Sequence, residues 1–356
     1  MMPYAGYPFD KLGIVSFTYH LYTLIGISYY YHYSSDLTYL ESYWGNFTKG
    51  LAWSLSFIDS TGLMNVTVGT ADWLRQGMGG HNIEANSILY YTLNQGIQLA
   101  TVLNDTSSIT LWSFHASAIK TAANSLLWNP NTGLYTDNET TTLSPQDGNS
   151  WAVKANLTLD ANQTTALTTA LKSRWGPYGA PAPEAGSPLT ISPFISSFEL
   201  EAHFLASSPL DALALIRTQW GFMLDDPRMT NSTFIEGYSA DGSLHYAPYT
   251  NDPRVSHAHG WSTGPTSLMS FYVAGIHLIG AQGKTWMIAP IMGDLRNVEA
   301  GFETGLGGFS SIVTAKDGVV TSLRFVTPLE TMVSFLCFSY INGVGTFEAN
   351  RCHAAN

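Results

Sequence analysis

Glu236 is the residue whose setting best suits chemistry. It closes a short apolar run in STFIEGY (232–238) and opens a loop rich in Gly, Tyr and Asp, which carries His245, His257, His259 and then Trp261. A carboxylate in such a loop, with no basic residue at helical spacing, can serve as a general base. An inverting glycosidase needs one carboxylate to activate water and a protonated carboxyl about 6.5–9.5 Å away to release the leaving group. A surface glutamate is the plain alternative. His259 could bond a sugar hydroxyl or orient that carboxylate, or be a structural loop histidine. His257 is more ambiguous. Trp261, two residues after His259, is a further sugar-facing candidate.

A second group lies in TADWLRQGMGGHN (70–82). The Trp73 indole could stack on the apolar face of a sugar ring while Asp72 takes its hydroxyls. A Trp beside Gly-rich turns is otherwise a packing anchor. Glu84 falls at the start of a helix, where a carboxylate favours the helix dipole, and His81 and Asn82 read as caps. Glu199 and Glu201 are two apart on a helix, so they point in different directions and cannot act as a pair. His257 and His259 lack the i, i+4 spacing of HExxH, and no Cys cluster exists, so no metal site is expected. Neither a GxSxG elbow nor a P-loop occurs, which removes the main support for serine hydrolase or nucleotide-binding readings.

Composition narrows the partners. With 26 Asp+Glu against 15 Lys+Arg, the 356-residue chain carries a net charge of −11. Such a surface repels phosphate backbones, so nucleic acid is not an expected partner. Aromatic residues make up 13% and charged residues 12%, a balance that suits sugar binding and large helical cores alike. Sequons at Asn46, Asn65, Asn104, Asn138, Asn156, Asn162 and Asn231 favour a secretory route, although MMPYAGYPFD is no signal peptide. Cys337 and Cys352 could close a terminal loop or be unrelated thiols. The charge-free stretch between Lys11 and Asp36 is long enough to span a bilayer, but His20, His32 and the YYYHY run make it too polar, so no membrane span is expected.

Paired helices must position these residues. The periodicity predicts helices over 14–33, 37–58, 82–103, 107–128, a short one near Asp147, one capped by Asp160, and others over 195–206, 211–224 and 263–276. Repeated α-hairpins of this kind build an (α/α) toroid whose connecting loops gather at one end. About nine helices are counted where a six-hairpin ring has twelve. Beyond Gly283, alternating β-branched and aromatic residues and a KDG turn predict a small β domain, a sandwich, over 284–356.

TADWLRQGMGGHNIEANSILYYTL, PQDGNSWAV, ISPFISSFELEAHF, STFIEGY and SHAHGWSTGPTSLMSFYVAGI together resemble secreted fungal α-L-rhamnosidases of glycoside hydrolase family 78, in the same order through nearly the whole chain. The resemblance implies an (α/α)6 catalytic barrel, a six-hairpin glycosidase fold, over 1–283, followed by a C-terminal β-sandwich. It further implies inverting hydrolysis of terminal α-L-rhamnose from glycosides or polysaccharides, extracellularly and without a cofactor. Glu236 matches the family's general-base position, His259 its substrate-contacting histidine, and Trp73 an aromatic residue of the sugar pocket. The general-acid motif of the family lies upstream of the point matching PYAGYPFD, so the reading expects an N-terminally truncated barrel that lacks its first helices. A catalytically impaired fragment that at most binds sugar, or another six-hairpin glycosidase, is the alternative.

Overall fold

The computed structural model describes residues 15–73, 75, 77–247, 249–333, 339–341 and 344–348. PYAGYPFD, Cys337 and Cys352 lie outside them. Helices α1 (Phe17–Ser34), α2 (Leu37–Leu55), α3 (Ile83–Val102), α4 (Thr106–Leu126), α5 (Gln146–Lys154), α6 (Ala161–Lys172) and α7 (Pro193–Leu205) follow in order. α8 (Pro209–Leu215) runs through a π-type widening at Ile216–Trp220 into α9 (Gly221–Asp225), and α10 (Gly264–Leu268) continues through another at Met269–Val273. Among the described residues no helix is long and apolar enough to cross a membrane.

Local chemistry explains where the helices start. Asp36, Asn82, Asp105 and Asp160 each accept a hydrogen bond from the backbone N–H three residues on, at 2.9, 3.0, 3.1 and 2.8 Å. α7 starts at Pro193, where the missing N–H costs nothing.

Packing sorts the helices into two kinds. α1, α3, α5, α7 and α10 touch in succession, and α2, α4 and α8 lie against α1, α3 and α7, with α6 between α5 and α7. α3 buries nearly every residue of its first two turns, from Ile83 to Leu89, whereas α4 buries one stripe, Trp112, Ala116, Ile119 and Ala123. The first kind is therefore sandwiched between neighbours and the second faces solvent.

The first turns of the sandwiched helices converge at one end. Gly148 of α5 lies so close to α3 that a Cβ there would fall 2.8 Å from Glu84 N, and Gly264 of α10 presses equally against Ser197 of α7. The Tyr22 ring of α1 meets Phe194 of α7 at 6.1 Å. Helix N-termini carry partial positive charge, so this end is suited to carboxylates.

Short strands β1 (Trp128–Asn129) and β2 (Leu134–Tyr135) form one antiparallel pair, and β3 (Thr190–Ile191) and β4 (Tyr238–Ser239) another. The C-terminal part holds two sheets. β5 (Ile276–Leu278), β6 (Thr285–Ile288) and β10 (Met332–Val333) make a three-stranded sheet in which β10 runs parallel to β6. β7 (Asn297–Thr304), β8 (Gly307–Lys316), β9 (Val319–Val326), β11 (Ser339–Ile341) and β12 (Val344–Glu348) make an antiparallel sheet of order β11-β12-β9-β8-β7. Ile276, Trp286 and Ile288 from the first share a core with Phe309, Val313, Leu323 and Phe325 from the second. The KDG turn is a two-residue hairpin: Lys316 pairs with Val319, and Asp317 and Gly318 take φ of 53° and 78°.

Candidate active site

Glu236 sits just before β4, and its backbone is held on both sides. Its N–H donates to Ser256 O at 2.7 Å, and its carbonyl accepts the Trp261 indole N–H at 3.0 Å. Gly237 follows because the Tyr246 ring occupies the space a Cβ would take. The carboxylate is only 5% exposed. The Tyr249 phenol donates to Oε1 at 2.8 Å and the Ser256 N–H donates to Oε2 at 3.1 Å. Each oxygen keeps a second lone pair, so the group is fixed in place and still able to accept a proton. Burial, then the bond to the Glu236 carboxylate, pushes Tyr249 up to about 12, so the phenol remains a donor at neutral pH.

His259 is one-third exposed, and its Nε2 lies 3.8 Å from Glu236 Oε1, beyond hydrogen-bond reach. Burial lowers its pKa against the pull of Glu236, which keeps the imidazole neutral near pH 7. The His259 and Trp261 rings meet edge to face at 4.2 Å, and Trp261 stacks on Phe194 at 5.1 Å. Trp261 is thus bound to Glu236 by one edge and backed by an aromatic face. His245 pairs with Asp252 at 2.6 Å on the surface, and His257 contributes its carbonyl to Thr233.

Asp72 and Trp73 join the same end through the core that Trp73 shares with Ile195, Phe194 and Trp261. Trp73 is 1% exposed and its indole N–H donates to Asp147 Oδ2 at 3.2 Å, which is the geometry of a packing anchor. Asp72 belongs to a buried acidic group that sequence reading did not assemble. Arg75, 2% exposed, binds Asp137 through both terminal nitrogens at 3.0–3.1 Å and Asp147 at 2.9 and 3.2 Å. Glu184 accepts the backbone N–H groups of Gln146 and Asp147, both at 2.9 Å, and so caps α5. Glu84, from the first turn of α3, is wholly buried beside them. The lone arginine of the 70–82 loop was the available signal, but its partners stand 62 and 72 residues away.

Beneath this end the helices are tied by a second polar group. Trp151 donates to Tyr22 at 3.1 Å. Below it, Lys154 of α5 binds Glu201 of α7 at 2.6 Å, Tyr272 donates to Glu201 at 3.0 Å, and the phenols of Tyr29 and Tyr91 meet at 2.8 Å. Glu199 instead serves Gln146 and Trp175, so the two glutamates do act apart. Clefts of about 350 and 340 Å³ open elsewhere, over β7 and β8 and beside His81. His81 there bridges Asp59 and Glu139. Among the described residues no set of three His, Cys, Asp or Glu is placed to hold a metal ion.

A helical domain of paired helices with carboxylates at the N-terminal end of the sandwiched set, followed by two small β-sheets, is the class of fold this chain defines. No protein-family model matches it, and no curated protein matches it by sequence. Solved structures do. The chain is similar to the family 78 rhamnosidase of Bacillus sp. GL1 over 90% of its own length and 33% of that chain, at 20% identity and a TM-score of 0.71. It is similar to the α-L-rhamnosidase of Streptomyces avermitilis, solved with L-rhamnose, over 89% of this chain and 30% of that one, at 16% identity and a TM-score of 0.64. For the Aspergillus terreus α-L-rhamnosidase the figures are 93% and 38%, 14% identity and 0.63. The chain therefore spans roughly a third of the length of these proteins, which share its fold.

Proposed function

We propose that this chain is the base-bearing part of an α-L-rhamnosidase, which hydrolyses terminal α-L-rhamnose with inversion and uses Glu236 as the general base. The observation that carries the reading is the Glu236 carboxylate, buried and clamped by Tyr249 and the Ser256 N–H beside the His259–Trp261 wall. The likeness in fold to the rhamnosidases supplies the sugar.

Glu236 takes a proton from a water molecule, whose oxygen forms the new bond to the anomeric carbon while the glycosidic bond breaks. A protonated carboxyl on the other face gives its proton to the leaving oxygen. His259, neutral, is suited to a sugar hydroxyl, and Trp261, backed by Phe194, is suited to contact with the apolar face of the sugar. Asp72 is assigned to hydroxyl binding and Trp73 to the support of that wall.

The successive packing of α1, α3, α5, α7 and α10 supports an (α/α)6 toroid over 1–283, and the shared core of the two sheets supports a β-sandwich over 284–356. The sequons at Asn46, Asn104, Asn156, Asn162 and Asn231 are exposed, which suits a secreted glycoprotein. Proton NMR of the first sugar released from an aryl α-L-rhamnoside tests the reaction: the β-anomer is expected first. Release of the α-anomer refutes inversion, and L-rhamnose binding without turnover by the full chain selects the alternative of a sugar-binding fragment.

A further inference from the structure

His81 carries the inference. It stands just ahead of α3, and its ring is held between two carboxylates from different segments. Nε2 lies 2.8 Å from Asp59 Oδ2, beyond the end of α2, and Nδ1 meets Glu139 Oε1, in the turn after β2. The ring is 13% exposed and the two carboxylates 40% and 32%, so all three groups reach solvent. Asp59 spends its other oxygen on the Thr61 N–H and hydroxyl, at 2.9 and 2.6 Å. Among the described residues the Lys and Arg ion pairs all go to other carboxylates. The Thr61 hydroxyl lies 3.4 Å from Nε2, and Asp137, two residues before Glu139, is taken by Arg75 and Asn82. His81 and Glu139 line the cleft of about 340 Å³ together with Gly77, Gly79, Gly80 and Asn138. Gly77 and Gly80 take φ of 81° and 70°, which glycine adopts without strain. Asn138 also donates to Gly79 O, at 3.2 Å.

We propose that His81 is a proton-operated clamp, which in its cationic form fastens the glycine segment 77–80 to both the loop after α2 and the turn 138–140, and in its neutral form releases one of them. Carboxylates only accept hydrogen bonds. An imidazolium has two N–H donors and serves both, whereas a neutral imidazole has one donor and turns a lone pair toward the other carboxylate. Burial opposes charge on His81, but the bonds to Asp59 and Glu139 outweigh it and raise the group above its ordinary 6.5. Thr61 first, then His81, hold Asp59 down at about 2, so that partner stays ionised. The clamp is therefore complete below about 6.5 and is lost as pH rises through the raised folded value. Asp72 and Trp73 belong to the loop that His81 ends, so the clamp fixes one end of the segment that reaches the candidate site.

The clamp does not rest on the rhamnosidase reading, and its test needs no sugar. NMR of the histidine rings in the full chain should show a signal that His81→Gln removes and that titrates above 6.5. Glu139→Gln should bring that midpoint down. Hydrogen exchange, corrected for the pH dependence of the chemical step, reads closure at Met78 and Gly80, whose N–H groups donate to Thr70 O and Val66 O. Their protection should fall by about 5-fold as pH rises through the His81 midpoint. His81→Gln should show the lower protection at every pH. His81→Arg, whose fixed charge and forked donors suit two carboxylates, should keep the higher protection at alkaline pH. A midpoint at or below 6.5, a midpoint unmoved in Glu139→Gln, or protection that falls in His81→Arg as in the wild type overturns the inference.

Discussion

Tyr249 donates its phenolic hydrogen to Glu236 across 2.8 Å, from a loop thirteen residues further along the chain. That bond aims the carboxylate without consuming it. A hydrogen bond to a charged group contributes about 1.5–3 kcal/mol, so Tyr249→Phe should lower kcat roughly 10- to 150-fold. KM for an aryl α-L-rhamnoside should change little, since the phenol orients the base rather than the sugar. A fall in sugar affinity with kcat unchanged would assign Tyr249 to binding instead.

Arg75 is the cation that lets Asp137 and Asp147 lie buried. Arg75→Met should cost about 3–5 kcal/mol, because it strands two carboxylates inside the protein. Denaturant unfolding measures this as a lower midpoint at unchanged slope. Arg75→Lys should recover little, since one ammonium cannot replace the fork that serves both partners.

These two relationships mark what sequence could and could not reveal. The caps at Asn82 and Asp160 act within one turn, and the KDG hairpin within two residues, so local chemistry made them legible. Glu236, His259 and Trp261 were legible as a group because one loop carries all three. Arg75 meets Asp147 across 72 residues and Trp151 meets Tyr22 across 129, and such pairings leave no periodic trace. Glu84 was legible as a helix-start carboxylate, but its complete burial arises only when α5 closes over it at Gly148. Trp73 has the composition of an exposed platform and the burial of a core residue. Nothing in its neighbours along the chain distinguishes the two.

Glu184 should govern a pH dependence of stability. Burial first and Asp147 second push it up to about 8 from an ordinary value of 4.5. A folded-state value above the unfolded one means that its contribution is complete below about 4.5 and is lost as pH rises through about 8. The melting temperature of the wild type should therefore decline across that window more than that of Glu184→Gln. Parallel declines would show that Glu184 is not the group responsible.

Gly148 sets the contact between α3 and α5. Gly148→Ala would drive a methyl group into Ile83 and to 2.8 Å from Glu84 N. Overpacking of this kind costs about 1–3 kcal/mol, measurable by thermal or denaturant unfolding. Stability equal to wild type would mean that the two helices can separate at no cost.

The most direct test of the central claim is the hydrolysis of an aryl α-L-rhamnoside by wild-type protein and Glu236→Gln, with calorimetric binding of L-rhamnose measured on both. The exchange removes the base and retains the shape, so turnover should fall by about 10²- to 10⁴-fold while rhamnose binding persists. Turnover in Glu236→Gln equal to that of the wild type, with binding intact, would contradict the assignment of Glu236 as the base.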